Sequence, residues 1–181
     1  TGPVSFTTLA TPPVNDNCSN AISLTTGGTF AQNAVSGTIV GATNTPALTA
    51  SCLFTPTNVG GNVWYKVTVP ASGSLTIETD AVTGSPLTDT VLSVFADCNT
   101  TTSIACDDDT GNGSFSKIVL TGQTPGAVLL VSVWRFSTST DGAFQISAYD
   151  SSVLATNESS GGKKALVVYP NPFNDVLNIS D

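Results

Sequence analysis

The side chains with the clearest potential for chemistry in this sequence are four aspartates. Asp107, Asp108 and Asp109 follow one another in CDDDTGNGS, and Asp89 directly precedes the apolar run TVLSVF. Carboxylates that lie close together without a lysine or arginine beside them repel one another, and a bound cation removes that repulsion. Calcium suits such a set, because it takes about 6 to 8 oxygen ligands and accepts loop oxygens as well as carboxylates.

The two acidic segments meet if the stretches around them pair as a β-hairpin. TVLSVF and SIACD then run antiparallel, and Asp89 lies at the same end of the sheet as Asp108 and Asp109. An acidic turn that faces water is the alternative. We predict a calcium site with ligands drawn from Asp89, Asp107, Asp108, Asp109, Asp16 and Asn17, the last two held nearby through Cys18. The spacing is not that of an EF-hand, since Ile118 stands where a bidentate Glu would be needed.

Catalytic chemistry has little support in the sequence. The chain contains no histidine, which excludes Ser-His-Asp and Cys-His nucleophile systems and the HExxH zinc site. Asp109-Thr110-Gly111 matches the aspartic protease triplet, but that chemistry needs a second carboxylate loop and no second copy exists. Glu78 and Glu158 are the two glutamates, and Glu158 lies in a polar linker. We predict that this chain is not an enzyme.

The charge balance excludes two classes of partner. Five basic residues stand against 13 acidic ones, which gives a formal net charge of -8. Such a chain repels phosphate backbones and anionic lipid, so nucleic acid and membrane surfaces are not expected as partners. No stretch approaches the roughly 20 apolar residues that span a bilayer.

The four cysteines predict two disulfides. Cys18, Cys52, Cys98 and Cys106 form no CxxC pair and have no histidine with which to share a metal, so a zinc site is disfavoured. Four cysteines allow three pairings, and the pairing of neighbours along the chain, Cys18 with Cys52 and Cys98 with Cys106, is preferred. Disulfides together with low charge indicate an exported protein that is secreted or held at the cell surface.

The elements that must position these residues are β-strands. Period-2 or β-branched runs are separated by turns such as Gly111-Asn112-Gly113 and Asp141-Gly142, as in an all-β, antiparallel sandwich of jelly-roll type. In NVWYKVTV, Val63, Tyr65 and Val67 share one face, so Trp64 on the other face is the candidate for an exposed ligand contact. LLVSVWRF is apolar on both faces, which predicts a central strand.

Residues 14-150 resemble the bacterial pre-peptidase C-terminal domain. The resemblance rests on VNDNCSNAISL, NVWYKVTV, TDTVLSVFADC, IACDDDTGNGSFSKI and GAFQISAYD. It implies a small β-sandwich appended to secreted peptidases and other hydrolases, where such domains aid substrate binding, processing or surface attachment, and where some bind calcium.

The two ends of the chain resemble parts of other domains. Residues 1-13 are similar to the last strand of a fibronectin type III domain followed by a linker. Residues 151-164 are predicted to form a polar Ser/Gly linker. Residues 165-181, with VYPNPF followed by VLNI, resemble the start of the C-terminal sorting domain of the type IX secretion system of Bacteroidetes. The resemblance implies a truncated sorting domain and export across the outer membrane by the type IX machinery.

These observations favour a non-catalytic accessory domain of a secreted multidomain hydrolase, with a peptidase as the first choice. Its expected partners are upstream catalytic or fibronectin-type domains and an extracellular protein or polysaccharide substrate. The alternative is a carbohydrate-binding or adhesive module of a polysaccharide-degrading or cell-surface protein.

Overall fold

The computed structural model describes residues 9-44, 52, 60-136, 139-152, 167-169 and 178-180. The chain divides into two compact units, Thr1–Ser151 and Ser152–Asp181. The predicted fibronectin-like residues 1-8 and most of the predicted sorting segment lie outside the described residues.

Within its described residues, the first unit contains nine strands and two short 3-10 helices, Cys18–Asn20 and Phe30–Gln32. The strands are β1 (Ile22–Leu24), β2 (Val35–Thr38), β3 (Asn62–Thr68), β4 (Leu75–Ala81), β5 (Thr90–Phe95), β6 (Ala105–Asp107), β7 (Lys117–Leu120), β8 (Val128–Arg135) and β9 (Ala143–Tyr149). In the second unit β10 (Val167–Tyr169) pairs antiparallel with β11 (Asn178–Ser180).

Two sheets form the predicted sandwich. One has the order β1-β3-β8-β5-β6 and the other the order β2-β9-β4-β7. All pairs are antiparallel except β1 with β3, which run parallel. The all-β, disulfide-stabilised sandwich expected from the sequence is therefore confirmed, although the edge pair of β1 with β3 is parallel rather than antiparallel.

The main core lies between the sheets and follows the period of two. Val63, Tyr65 and Val67 of β3 all point into it and are at most 1% exposed. Strand β8, which holds LLVSVWR, is the middle strand of its sheet and is buried on both faces. Its prediction as a central strand is confirmed, because a strand covered on both sides has no polar alternation.

A second apolar cluster covers the outer face of the five-stranded sheet. It contains Cys18, Ala21, Trp64, Val91, Phe95, Leu130 and Trp134, with Cys52, Cys98, Cys106 and Phe136 packed against it. We call it the disulfide cluster. Trp64 is fully buried in it, with its ring centroid 5.6 Å from that of Phe95. The prediction of Trp64 as an exposed ligand contact is therefore wrong: the face opposite the main core is covered by disulfide-linked segments rather than by water.

All four cysteines form disulfides as predicted, but the predicted pairing is wrong. Cys18 is bonded to Cys98 and Cys52 to Cys106. The reason lies in the register of the β5–β6 hairpin, in which Cys106 stands opposite Ser93. Cys98 lies in the turn that follows β5, beyond the end of the strand at Phe95, and so is displaced along the sheet from Cys106. A disulfide needs Cα atoms within about 7 Å, so these two cysteines bond to other segments.

Candidate metal site

Three aspartates meet at one end of the sandwich. Asp89 comes directly before β5, and Asp108 and Asp109 come directly after β6. Because β5 and β6 pair antiparallel, with Leu92 opposite Asp107, the start of one strand lies beside the end of the other. One carboxylate oxygen from each of Asp89, Asp108 and Asp109 lies within 4.8 Å of the others. The hairpin argument from the sequence thus places these three side chains correctly.

Two of these carboxylates are incompletely satisfied. Asp89 and Asp108 are half-buried, and the Oδ1 atom of each is shielded from solvent without a hydrogen-bond partner within the described residues. Asp109 is exposed. A buried carboxylate oxygen without a partner is unfavourable for folding, because the group loses its hydration and gains nothing in return. A cation among the three carboxylates would supply that partner.

The pKa values of the two half-buried carboxyl groups, Asp89 and Asp108, reflect this environment. Burial raises the pKa of Asp89 to about 6, and the charges of Asp108 and Asp109 add to the increase. Burial likewise raises the pKa of Asp108 to about 6, with smaller contributions from Asp109 and Asp107. Both causes disfavour the ionised form, as expected when like charges share a desolvated corner.

A buried hydroxyl network fixes the backbone beneath the aspartates. Thr79, Thr90 and Ser116 are fully buried, and the Thr79 and Thr90 hydroxyl oxygens are 2.7 Å apart. The Ser116 hydroxyl lies within hydrogen-bonding distance of the carbonyl oxygens of Thr90 and of Asp108, the latter at 3.0 Å. It therefore connects the start of β5, next to Asp89, to the loop that carries Asp108. The sequence gives no sign of this network, because these hydroxyls stand within ordinary strand and turn patterns.

Asp107 shapes the loop instead of joining the three aspartates. Its Oδ2 accepts hydrogen bonds from the backbone N–H groups of Thr110 at 3.1 Å and Lys117 at 2.8 Å. The Gly111 N–H donates to the Phe115 carbonyl at 2.7 Å, and a side chain at Gly111 would collide with that carbonyl. Asp107 thus holds the turn that presents Asp108 and Asp109.

Asp16 and Asn17 are not in this group, which corrects their prediction as further ligands. The Asp16 carboxylate accepts hydrogen bonds from the Thr43 backbone N–H at 2.5 Å and its hydroxyl at 2.7 Å. Asn17 adjoins Cys18, which is bonded to Cys98 beyond the C-terminal end of β5. Asp89 lies at the opposite end of that strand. The expectation that Cys18 holds Asp16 and Asn17 beside the aspartates is therefore wrong, because its disulfide partner Cys98 lies beyond the other end of β5.

The raised pKa values predict a pH-dependent stability in calcium-free protein. Each of these carboxyl groups has a pKa of about 6 in the folded state and an ordinary value of 3.8 in the unfolded chain, so the folded state binds its proton more tightly. The resulting contribution to stability is fully present below about pH 4 and is lost as the pH rises through about 6. We expect Asp89→Asn to remove part of this loss. Melting curves of both proteins in chelator across that pH range would show it, and parallel pH profiles for wild type and variant would contradict it.

Asp89, Asp108 and Asp109 form what we call the acidic corner of the sandwich. The fold and this acidic corner define a small, disulfide-bonded β-sandwich module. Residues 14-124, more than half of the chain, match the family of galactose binding domain-like modules associated with the type IX secretion system, and the chain belongs to this family. Membership of this family, together with the two disulfides, indicates an extracellular or cell-surface protein. Among curated protein sequences, none matches the chain.

One solved structure with a similar fold is the pre-peptidase C-terminal domain of collagenase from Bacillus anthracis. The similarity has a TM-score of 0.42 at 13% sequence identity, and covers 71% of this chain and 91% of that domain. Across the described ranges, no helix combines the length and the apolar composition that crossing a membrane requires.

Proposed function

We propose that this chain is a non-catalytic accessory domain of a secreted multidomain protein, and that calcium holds its acidic corner together. The observation that carries the calcium proposal is the pair of buried, unpartnered oxygens, Asp89 Oδ1 and Asp108 Oδ1, beside the carboxylate of Asp109. The donors are all oxygen, which suits a hard cation. Calcium tolerates irregular coordination more readily than magnesium, so loop carbonyls and water can complete its shell.

The proposed role of the ion is to close one side of the sandwich. Strand β6 is one edge of the five-stranded sheet and β7 is one edge of the four-stranded sheet. The loop between them carries Asp108 and Asp109. A cation bound to this loop and to Asp89 would neutralise their repulsion and tie the loop to the start of β5. A domain fixed in this way resists unfolding and proteolysis outside the cell, where calcium is available.

The parent protein is proposed to be a hydrolase, with a peptidase as the first choice, exported by the type IX pathway. Membership of a family associated with that pathway supports the export route. The similarity of residues 165-181 to the start of a sorting domain also supports the export route. The similarity of residues 14-150 to pre-peptidase C-terminal domains is the reason for proposing that the parent is a hydrolase. The domain would aid substrate or surface binding of its parent, which retention on insoluble collagen would test.

Calcium is expected to raise the melting temperature of the wild-type protein. At calcium about 100 times Kd the gain is roughly 2.7 kcal/mol if the ion binds the folded state alone. For a domain of this size the midpoint should rise by several degrees. The measurement is a thermal melt in millimolar calcium and another in excess chelator.

Two variants make this experiment specific. Asp108→Asn keeps the shape of the side chain and removes its charge, so it should abolish most of the calcium shift and raise the midpoint in chelator. Asp97→Asn is the matched control, because Asp97 is an exposed aspartate on another loop and its pKa is lowered by hydrogen bonds from Asn99 and Thr100. The control should keep the full shift. An unchanged wild-type midpoint in the two buffers would sink the calcium proposal.

Carbohydrate binding is the second candidate, and the description of the family as galactose binding domain-like is the observation in its favour. Because Trp64 is buried, a sugar would have to be recognised elsewhere on the domain. Retention on galactose-containing polysaccharides, compared with chitin, cellulose and alginate, would support this function. Retention on collagen alone would favour the peptidase-associated role.

A further inference from the structure

The loop between β6 and β7 contains Asn112–Gly113, the one asparagine in this sequence that is directly followed by glycine. Both residues are exposed. The Asn112 Nδ2 group donates one hydrogen bond, to Asp80 Oδ1 at 3.1 Å on the protein surface. An asparagine side-chain carbonyl can be attacked by the backbone nitrogen of the next residue, and glycine hinders that approach least because it has no Cβ.

The backbone nitrogen of Gly113 is available for such an attack. Its N–H makes no hydrogen bond within the described part of the chain. A Cβ at Gly113 would have no neighbouring atom within 4 Å, so nothing crowds this peptide. Asn99–Thr100 is a useful contrast on another exposed loop: the Thr100 N–H donates to Asp97 Oδ1 at 2.9 Å, and threonine is β-branched.

We propose that Asn112 is a site of spontaneous deamidation in the folded protein. Hydroxide removes the proton from the Gly113 nitrogen, and this nitrogen bonds to Asn112 Cγ. The Cγ–Nδ2 bond breaks, the departing nitrogen takes a proton from water and leaves as ammonia, and hydroxide is regenerated while a five-membered imide remains. Water then adds to either imide carbonyl and opens the ring. The products are aspartate or isoaspartate at position 112, and the reaction needs water alone as co-reactant. This inference does not depend on calcium binding.

The products would change the acidic corner. Aspartate at position 112 replaces a donor to Asp80 by a second negative charge in the same place, so a hydrogen bond becomes a repulsion. Isoaspartate also lengthens the backbone by one carbon inside a turn closed by the Phe115 N–H bond to the Asn112 carbonyl at 3.2 Å. Both products therefore loosen the loop that carries Asp108 and Asp109.

The test follows individual amides in the full-length chain during incubation at mildly alkaline pH and body temperature. Anion exchange should resolve a growing, more acidic form, and peptide mapping should place aspartate and isoaspartate at position 112. Loss of the Asn112 amide should be several-fold faster than loss of the Asn99 amide, which is the internal control.

The matched variant is Asn112→Gln, which keeps an amide but needs a larger and slower ring to react. It should suppress the acidic form, and its unchanged melting temperature before incubation would show that the fold is intact. Equal rates at Asn112 and Asn99 would overturn the proposal. An acidic form that persists undiminished in Asn112→Gln would overturn it as well.

Discussion

Replacing Cys18 and Cys98 together by alanine is expected to lower the free energy of unfolding by about 4 kcal/mol. The disulfide joins residues separated by 80 positions, and the loss of so long a constraint enlarges the unfolded ensemble. The bond also anchors the cover of the disulfide cluster, in which Cys18 is 5% exposed. Denaturant unfolding of the variant and of wild type, both without reductant, measures the difference.

A second double variant tests the pairing itself. Cys98→Ala with Cys106→Ala takes one cysteine from each disulfide, so Cys18 and Cys52 should remain as two free thiols that a thiol reagent titrates. The variant with Cys18→Ala and Cys98→Ala should show no free thiol, because Cys52 and Cys106 stay bonded to each other. If the cysteines instead paired as neighbours along the chain, these thiol counts would be exchanged between the two variants.

The sandwich could be predicted because its strands carry local signals. Val63, Tyr65 and Val67 alternate with other residues on β3, and this two-residue period specifies which side chains face the main core. The continuous apolar run of β8 predicted its central place in the sheet, because a strand that is covered on both faces needs apolar side chains on both. The meeting of Asp89 with Asp108 followed from a hairpin, which is a local pairing of consecutive strands. Each of these inferences needed information from a single segment or from two neighbouring ones.

The errors share one physical cause, which is that long-range covalent bonds cover the outer face of a sheet. Trp64 stands among polar residues in its strand, so local alternation assigns it to water. Its actual environment is set by Cys18 and Cys98, which are separated in sequence from β3 and from each other. The displacement of Asn17 from the aspartates has the same origin. The parallel pairing of β1 with β3 is also non-local and carries no sequence signal.

Trp64→Ala is expected to lower the free energy of unfolding by about 3 to 5 kcal/mol. The side chain is fully buried in the disulfide cluster, where its ring is tilted by 51° against that of Phe95. Its removal leaves a large cavity among the close-packed side chains of the disulfide cluster. Trp64→Phe keeps an aromatic ring there and should lose clearly less. Denaturant unfolding followed by far-ultraviolet circular dichroism measures both changes.

The control for this series is Val119→Ala on β7. Val119 is also apolar but is 63% exposed, so its truncation should change the free energy of unfolding by no more than about 0.5 kcal/mol. The contrast distinguishes the two interpretations of Trp64. A buried tryptophan predicts a large loss of stability in Trp64→Ala. If Trp64 were instead an exposed ligand contact, Trp64→Ala would be about as stable as Val119→Ala and would lose binding to a polysaccharide or protein ligand. That result would contradict the structure of the disulfide cluster.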